Sequence, residues 1–125
     1  MRIFIVDDDR ALSRNLELIL SSKGYEVLSF PSPESALFFL QLNPAMDLLI
    51  LDYNLKVFTA EYFMERMRAL LPGHCKVILI SGHTDIIEKI DLAKLGADAF
   101  LPKPLDLNRL LQEIEAGQVK NSQTG

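Results

Sequence analysis

The sequence has little of several features that whole classes of protein require. Its single cysteine, Cys75, excludes an internal disulfide and offers no cysteine pair for a metal, so we expect a small buried or edge residue. Lys and Arg number 13 against 17 Asp and Glu, which gives a net charge of -4 without a basic stripe for a phosphate backbone. No apolar run approaches a membrane span, and the opening residues become acidic at Asp7, too early for a signal peptide. We therefore predict a cytoplasmic protein that binds neither nucleic acid directly nor a membrane.

Length and composition predict one globular domain. The chain has 125 residues, of which 49% are hydrophobic and 24% charged, values typical of a soluble protein with a single core. The recurring apolar pattern predicts a domain over residues 1–116. From Gly117 to residue 125 the sequence is polar, which predicts a flexible tail or the start of a linker.

The apolar run Leu48-Leu49-Ile50-Leu51 leads directly into Asp52. A run without alternation is typical of a parallel strand covered on both faces. Ligands of such sheets bind at the carboxyl ends of the strands, where Asp52 stands. A lone aspartate at a strand end more often begins a turn, so the other strand ends decide its role.

Apolar periodicity predicts five strands that alternate with five helices. The predicted strands are 3–6, 26–30, 48–52, 76–80 and 99–101. Asp9, Ser32 and Asp106 stand where N-caps belong, and a fourth helix is expected from Thr84-Asp85 to Gly96. This alternation predicts a flavodoxin-like α/β fold, with a doubly wound parallel sheet of order 2-1-3-4-5 in three α/β/α layers.

The predicted strand order brings polar residues to one edge of the sheet. Asp7 and Asp8 would lie beside Asp52, and Ser81 and Lys103 would arrive from the next two strands. Three carboxylates at one edge repel each other, so either one is protonated or a cation such as Mg²⁺ holds them together. The metal, the ammonium and the hydroxyl suit a phosphoryl group, which an aspartate can accept as an acyl phosphate.

Over residues 1–116 this ordered set resembles the receiver domain of bacterial two-component response regulators, a CheY-like version of the fold. Each motif is weak alone, but their order and spacing together are highly specific. The matching segments are Val6-Asp7-Asp8-Asp9, Leu51-Asp52, Ser81-Gly82-His83 and the stretch from Gly96 to Pro104.

The resemblance assigns a chemical role to each matching residue. It implies that Asp52 is the phosphoacceptor and that Lys103 pairs with the phosphoryl group. It also implies that Asp7 and Asp8 hold Mg²⁺, or Mn²⁺, together with Asp52 and the main-chain carbonyl of Asn54.

The resemblance also implies a switch and its partners. Ser81 would be the switch hydroxyl, Phe100 the switch aromatic, and the Lys103-Pro104 bond cis. The phosphodonor would be a sensor histidine kinase or a phosphotransfer protein. An output domain or a homodimer contact would use the fourth helix, fifth strand and fifth helix. Such a domain is a signalling protein that catalyses only its own phosphorylation and dephosphorylation.

Two positions depart from the family pattern, and two alternative functions remain consistent with the sequence. Lys56 and Ala60 stand where the family commonly has proline and glycine, so the loop before the third helix is expected to differ. His83 is expected to be an exposed loop residue, because no Cys or second His accompanies it.

An aspartate-nucleophile phosphatase would use Asp7 instead of Asp52, although the chain has no late acidic pair. A pseudo-receiver would keep the fold without the chemistry.

Overall fold

The chain forms a five-stranded parallel sheet between two layers of helices. The structure, a computed structural model, describes residues 1–54, 59–83 and 91–124, with side chains described as far as residue 116. The strand order is β2-β1-β3-β4-β5, which confirms the predicted doubly wound, flavodoxin-like topology. The strands are β1 (Arg2–Val6), β2 (Glu26–Phe30), β3 (Leu48–Asp52), β4 (Lys76–Ser81) and β5 (Ala99–Pro102). The helices are α1 (Arg10–Ser22), α2 (Pro33–Leu42), α3 (Ala60–Leu70), α4 (Leu92–Leu95) and α5 (Leu107–Thr124).

Two apolar cores lie on opposite faces of the sheet, because successive side chains of a strand point to opposite sides. Both faces are covered by helices, which explains why the interiors of the central strands are apolar without alternation. On one face Phe4, Leu49 and Val77 pack with buried residues of α2 and α3. On the other, Ile50 and Ile78 pack with buried residues of α1 and α5. We call these the α2/α3 face and the α1/α5 face.

Side-chain caps fix where several helices begin, as the sequence predicts. Asp9 Oδ1 accepts a hydrogen bond from the Leu12 N–H at 3.1 Å. Ser32 and Asp106 accept equivalent bonds at the starts of α2 and α5. Asp9 is therefore a helix cap rather than a member of the acidic cluster. Each cap satisfies a backbone N–H that has no partner inside its own helix.

The fourth helix differs from the prediction. Asp91 has extended backbone dihedrals, with φ −92° and ψ 98°, and its carboxylate accepts the Lys94 N–H, so that α4 begins only at Leu92. The expected start at Thr84-Asp85 lies outside the described residues. Aspartate favours a cap over a helix interior because its side chain competes for backbone N–H groups.

The last helix is longer than the sequence pattern indicates. α5 continues through Gly117 to Thr124, where the sequence predicts a flexible tail or linker. Extending a helix that has already formed requires only one residue to be fixed for each added hydrogen bond. Residues 118–124 contain no proline or glycine that would end the helix. No helix in the described part of the chain is long and apolar enough to span a membrane.

Cys75 is 1% exposed and lies in the core on the α2/α3 face, as expected for a structural cysteine. Burial raises the pKa of its thiol to about 12, so the thiol stays protonated at neutral pH. A protonated, buried thiol is a poor nucleophile and a poor metal ligand.

Candidate functional site

An acidic cluster lies where β1 and β3 end side by side. Val6 pairs with Leu51 in the sheet, so the next residues, Asp7 and Asp52, meet at the same edge. One carboxylate oxygen from each of Asp7, Asp8 and Asp52 lies within 4.8 Å of the others. Asp7 and Asp52 are only 2% and 7% exposed, whereas Asp8 is exposed. The structure thus brings together the three carboxylates that the sequence predicts to be neighbours.

Lys103 provides the positive charge of the cluster. Its Nζ lies 2.9 Å from Asp7 Oδ2 and donates a hydrogen bond to Asp52 Oδ2 at 3.4 Å. The Lys103 backbone N–H donates to the Ser81 carbonyl at 2.8 Å, which fixes the residue against the end of β4. The Lys103-Pro104 peptide bond is cis, as expected. A single ammonium therefore contacts two buried carboxylates.

The electrostatic balance disfavours a negative charge on Asp52. Burial raises the pKa of Asp52, and the nearby Asp7 carboxylate raises it further, against the lowering effects of the Asn54 N–H and of Lys103. The pKa of Lys103 is also raised, because its two carboxylate partners outweigh the opposing effect of burial. Lys103 thus stays charged at neutral pH, but its one charge does not fully compensate the cluster.

One buried oxygen of the cluster depends on the shared ammonium alone. Asp7 Oδ1 accepts the Asp9 N–H at 2.9 Å, whereas the contact shown for Asp7 Oδ2 among the described residues is with Lys103 Nζ at 2.9 Å. Because Lys103 also contacts Asp52, one positive charge serves two buried carboxylates. Carboxylate oxygens are the ligands that Mg²⁺ prefers, so these residues fit a divalent cation.

Ser81 ends β4 and is fully buried, and its hydroxyl is held by two donors. Its Oγ lies 2.9 Å from Asn54 Nδ2 and 3.0 Å from the backbone N of His83. The Asn54 backbone N–H in turn donates to Asp52 Oδ1 at 3.0 Å. The family resemblance implies a role for the main-chain carbonyl of Asn54, but nothing in the sequence pattern points to its side chain.

Phe100 and Tyr53 lie on elements next to the cluster. Phe100 pairs with Leu79 across β4 and β5 and is half-buried against the core of the α2/α3 face. Tyr53 directly follows the phosphoacceptor candidate, and its hydroxyl donates to Glu61 Oε1 at 3.2 Å. Neither the sequence pattern nor the family resemblance points to a role for Tyr53.

The structure explains one of the two departures from the family pattern, the alanine at position 60. α3 begins at Ala60, which is 1% exposed, and Thr59 caps it by accepting the Tyr62 N–H at 3.1 Å. A helix start needs no glycine dihedrals, so alanine is compatible with this position. Lys56 lies outside the described residues. His83 is exposed, as predicted.

Comparison with known proteins identifies the family. A family model of the response regulator receiver domain matches residues 3–115. The chain belongs to the response regulator receiver family. Receiver domains act as phosphoacceptors in two-component signal transduction, and this chain has that role.

Individual relatives agree with this assignment. Transcriptional regulatory protein CpxR of Escherichia coli is 31% identical over 116 residues, which cover 92% of this chain and 48% of CpxR. Transcriptional regulatory protein FixJ of Bradyrhizobium diazoefficiens is 29% identical over 91% of this chain and 55% of FixJ. A CheY-like receiver domain from Methanospirillum hungatei has a TM-score of 0.83 at 29% identity, over 99% of this chain and 98% of that one. The chain spans about half the length of the curated relatives it matches.

Proposed function

We propose that Asp52 is the residue that accepts the phosphoryl group, in a reaction that requires Mg²⁺ or Mn²⁺. The observation that carries this proposal is a cluster of three carboxylates at the edge of the sheet, two of which contact a single lysine. Asp52 is the member that belongs to the central strand and contacts Lys103, while part of its surface stays open to a donor. Asp7, Asp8, Asp52 and the main-chain carbonyl of Asn54 would hold the ion.

The proposed step is an in-line transfer to a carboxylate. A carboxylate oxygen of Asp52 forms a bond to phosphorus while the bond from phosphorus to the donor breaks, and its electron pair leaves with the donor. Lys103, already beside Asp52 Oδ2, would pair with the phosphoryl oxygens. A divalent ion held by these residues would supply the remaining positive charge for the carboxylates and the phosphoryl group.

We further propose that Ser81 and Phe100 pass the change to the face formed by α4, β5 and α5. A phosphoryl group on Asp52 adds charge and strong acceptor oxygens near the end of β4. The Ser81 hydroxyl would donate to those oxygens, and Phe100 would turn towards the space that Ser81 leaves. Because Phe has no polar atom, its two positions would differ through packing alone.

The proposed phosphodonor is a sensor histidine kinase or a phosphotransfer protein. A groove of about 660 Å³ lies between α1 and the β5–α5 connection, and Asp9 and Lys103 form its end next to the site. Leu18, which is 68% exposed, and Leu107, which is 39% exposed, belong to its lining. A protein that delivers a phosphoryl group to Asp52 would cover this apolar groove.

The remaining parts of the proposal concern the whole protein. CpxR and FixJ are named as transcriptional regulatory proteins, and the chain corresponds to about half of each. We propose that an output domain or a second copy is controlled through α4, β5 and α5. A cytoplasmic location and the absence of catalysis on other substrates are part of this proposal.

The proposed site is tested by labelling with acetyl phosphate. Intact-protein and peptide mass spectrometry should find one phosphoryl group on Asp52 with Mg²⁺, and none in Asp52→Asn or in excess chelator. Glu115→Gln, which removes an exposed carboxylate from α5, is the matched control and should label normally. Labelling at Asp7 would favour the phosphatase alternative, and no labelling of the wild type with Mg²⁺ would favour a pseudo-receiver.

A further inference from the structure

Asn54 donates hydrogen bonds to the side chains of both Asp52 and Ser81, whereas Lys103 reaches the Asp52 side chain but only the main-chain carbonyl of Ser81. Its backbone N–H donates to Asp52 Oδ1 at 3.0 Å, and its side-chain amide donates to Ser81 Oγ at 2.9 Å. The two contacts join the ends of β3 and β4 across 27 positions of sequence. A displacement of Asn54 at the acceptor carboxylate would therefore be felt at the hydroxyl.

The hydrogen-bonding capacity of a hydroxyl limits what Ser81 can do. A serine Oγ has two acceptor positions and one O–H donor. The Asn54 amide and the His83 N–H occupy both acceptor positions, which leaves the O–H as the group that can engage a new acceptor. Ser81 is fully buried, so its hydroxyl has no access to water and needs a partner within the protein or on the phosphoryl group.

The two partners differ in exposure. Asn54 is exposed, so its amide can be hydrated when it leaves Ser81. Ser81 has no such option, and losing a donor without a replacement is unfavourable for a buried oxygen. Breaking the hydrogen bond therefore costs little at Asn54, whose amide water can solvate. The Ser81 hydroxyl gives up the bond only when another group replaces the lost partner.

We propose that the Asn54 side chain is a positioning residue that holds the Ser81 hydroxyl in its resting place, and that phosphorylation of Asp52 opens this contact. This inference rests on the proposed function and adds a role for the amide that is separate from metal binding by the main-chain carbonyl. A net hydrogen bond of this kind corresponds to a factor of about two to ten in an equilibrium. Removing the amide should raise the population of the switched state in the resting protein by that factor.

The test is an NMR comparison of variants of the 125-residue chain in chelator, without phosphorylation. Asn54→Ala keeps the main-chain groups and removes only the amide. The amide resonances of Phe100 and Lys103 should move along the line that beryllium fluoride with Mg²⁺ produces in the wild type. Asn43→Ala removes an exposed asparagine at the end of α2 and should leave these resonances in place.

A double-mutant cycle separates positioning from simple stabilisation. Asn54→Ala should change the urea unfolding equilibrium by a factor of about two to ten in the wild-type background and should change nothing further in Ser81→Ala. The movement of the Phe100 and Lys103 resonances should likewise vanish in the Ser81→Ala background.

Two results would overturn the inference. One is equal effects of Asn54→Ala in both backgrounds. The other is that the Phe100 and Lys103 amide resonances of Asn54→Ala do not shift, or shift in a direction different from the one that beryllium fluoride with Mg²⁺ produces in the wild type. The cycle is measured on unphosphorylated protein, so it stands apart from the acetyl phosphate experiment. If wild-type Asp52 does not label, the proposed function fails, whereas a failed cycle with normal labelling rejects only the role of Asn54.

Discussion

Replacing Asp52 with asparagine should stabilise the protein in chelator and destabilise it, relative to wild type, in Mg²⁺. The reason is the charge balance of the cluster. At an effective dielectric constant of about 20, Lys103 at 3.4 Å attracts the Asp52 carboxylate by about 5 kcal/mol. Asp7 has a carboxylate oxygen within 4.8 Å of one on Asp52. At the same dielectric constant it repels the Asp52 carboxylate by roughly 3–4 kcal/mol.

Because attraction and repulsion nearly cancel, the burial of Asp52 decides the sign. Burial is the largest cause of its raised pKa, so the ionised form is less favourable in the folded protein than in the unfolded chain. With a raised pKa the folded state binds the proton more tightly, and stability is lost as pH rises from 3.8 through the folded-state pKa. Asp52→Asn should therefore have a higher unfolding free energy than the wild type at pH 7 in chelator.

Mg²⁺ should reverse the order of the two proteins. A ligand at a hundred times its Kd adds about 2.7 kcal/mol to the unfolding free energy of a protein that binds it only when folded. Asp52→Asn loses a charged ligand and should gain much less. The wild type should then be more stable than the variant by roughly 1–2 kcal/mol.

Urea denaturation of both proteins, with and without Mg²⁺, measures this inversion. Glu115→Gln removes one exposed carboxylate outside the cluster, and its stability relative to wild type should not depend on Mg²⁺. Equal stabilisation of wild type and Asp52→Asn by Mg²⁺ would show that the ion binds elsewhere. A less stable Asp52→Asn in chelator would show that the ionised carboxylate is not disfavoured by burial.

Three further predictions concern Lys103, Gly96 and Leu18. Lys103→Met removes a charge that lowers the pKa of Asp52, so the acid limb of acetyl phosphate labelling should move to higher pH. Gly96→Ala should lower the unfolding free energy measured by urea denaturation by about 1–2 kcal/mol, because Gly96 has a φ of +87°. The added Cβ would also lie 2.7 Å from Arg68 Nη2. A second substitution, Arg68→Ala, should remove this steric contact but not the backbone strain. Leu18→Ser should slow phosphotransfer from a kinase but not from acetyl phosphate, whereas Phe38→Ser, a control 67% exposed on α2, should affect neither.

The topology could be predicted from sequence because each central strand carries an unbroken apolar run. Runs such as the one before Asp52 require helices on both faces, and parallel connections are almost always right-handed. Once the order is fixed, the ends of β1 and β3 must be neighbours, and the acidic cluster follows. The caps at Asp9 and Asp106 were also visible, because a cap is a local feature of a few residues.

Features that depend on side-chain geometry could not be predicted. The apolar spacing of Ile86, Ile90 and Ala93 suggested one continuous helix, but the Asp91 side chain competes for a backbone N–H and begins α4 there. The bond between Asn54 and Ser81 joins residues far apart in sequence, and no periodicity encodes it. The apolar periodicity of the sequence indicates which residues lie at the same edge of the sheet, but not which of their atoms are in contact.

The alternation of the strands separates the chemistry of the site from its switch. Side chains change face at every residue, so Asp7 and Asp52, one position beyond residues of the α2/α3 core, turn to the α1/α5 face, where Lys103 meets both. Ser81 follows a residue of the opposite core and turns to the α2/α3 face, against which Phe100 also packs. A change at Asp52 must therefore cross the plane of the sheet to reach the switch residues. Asn54 spans that distance, with its main chain at Asp52 and its side chain at Ser81, which is why its amide is the expected point of control.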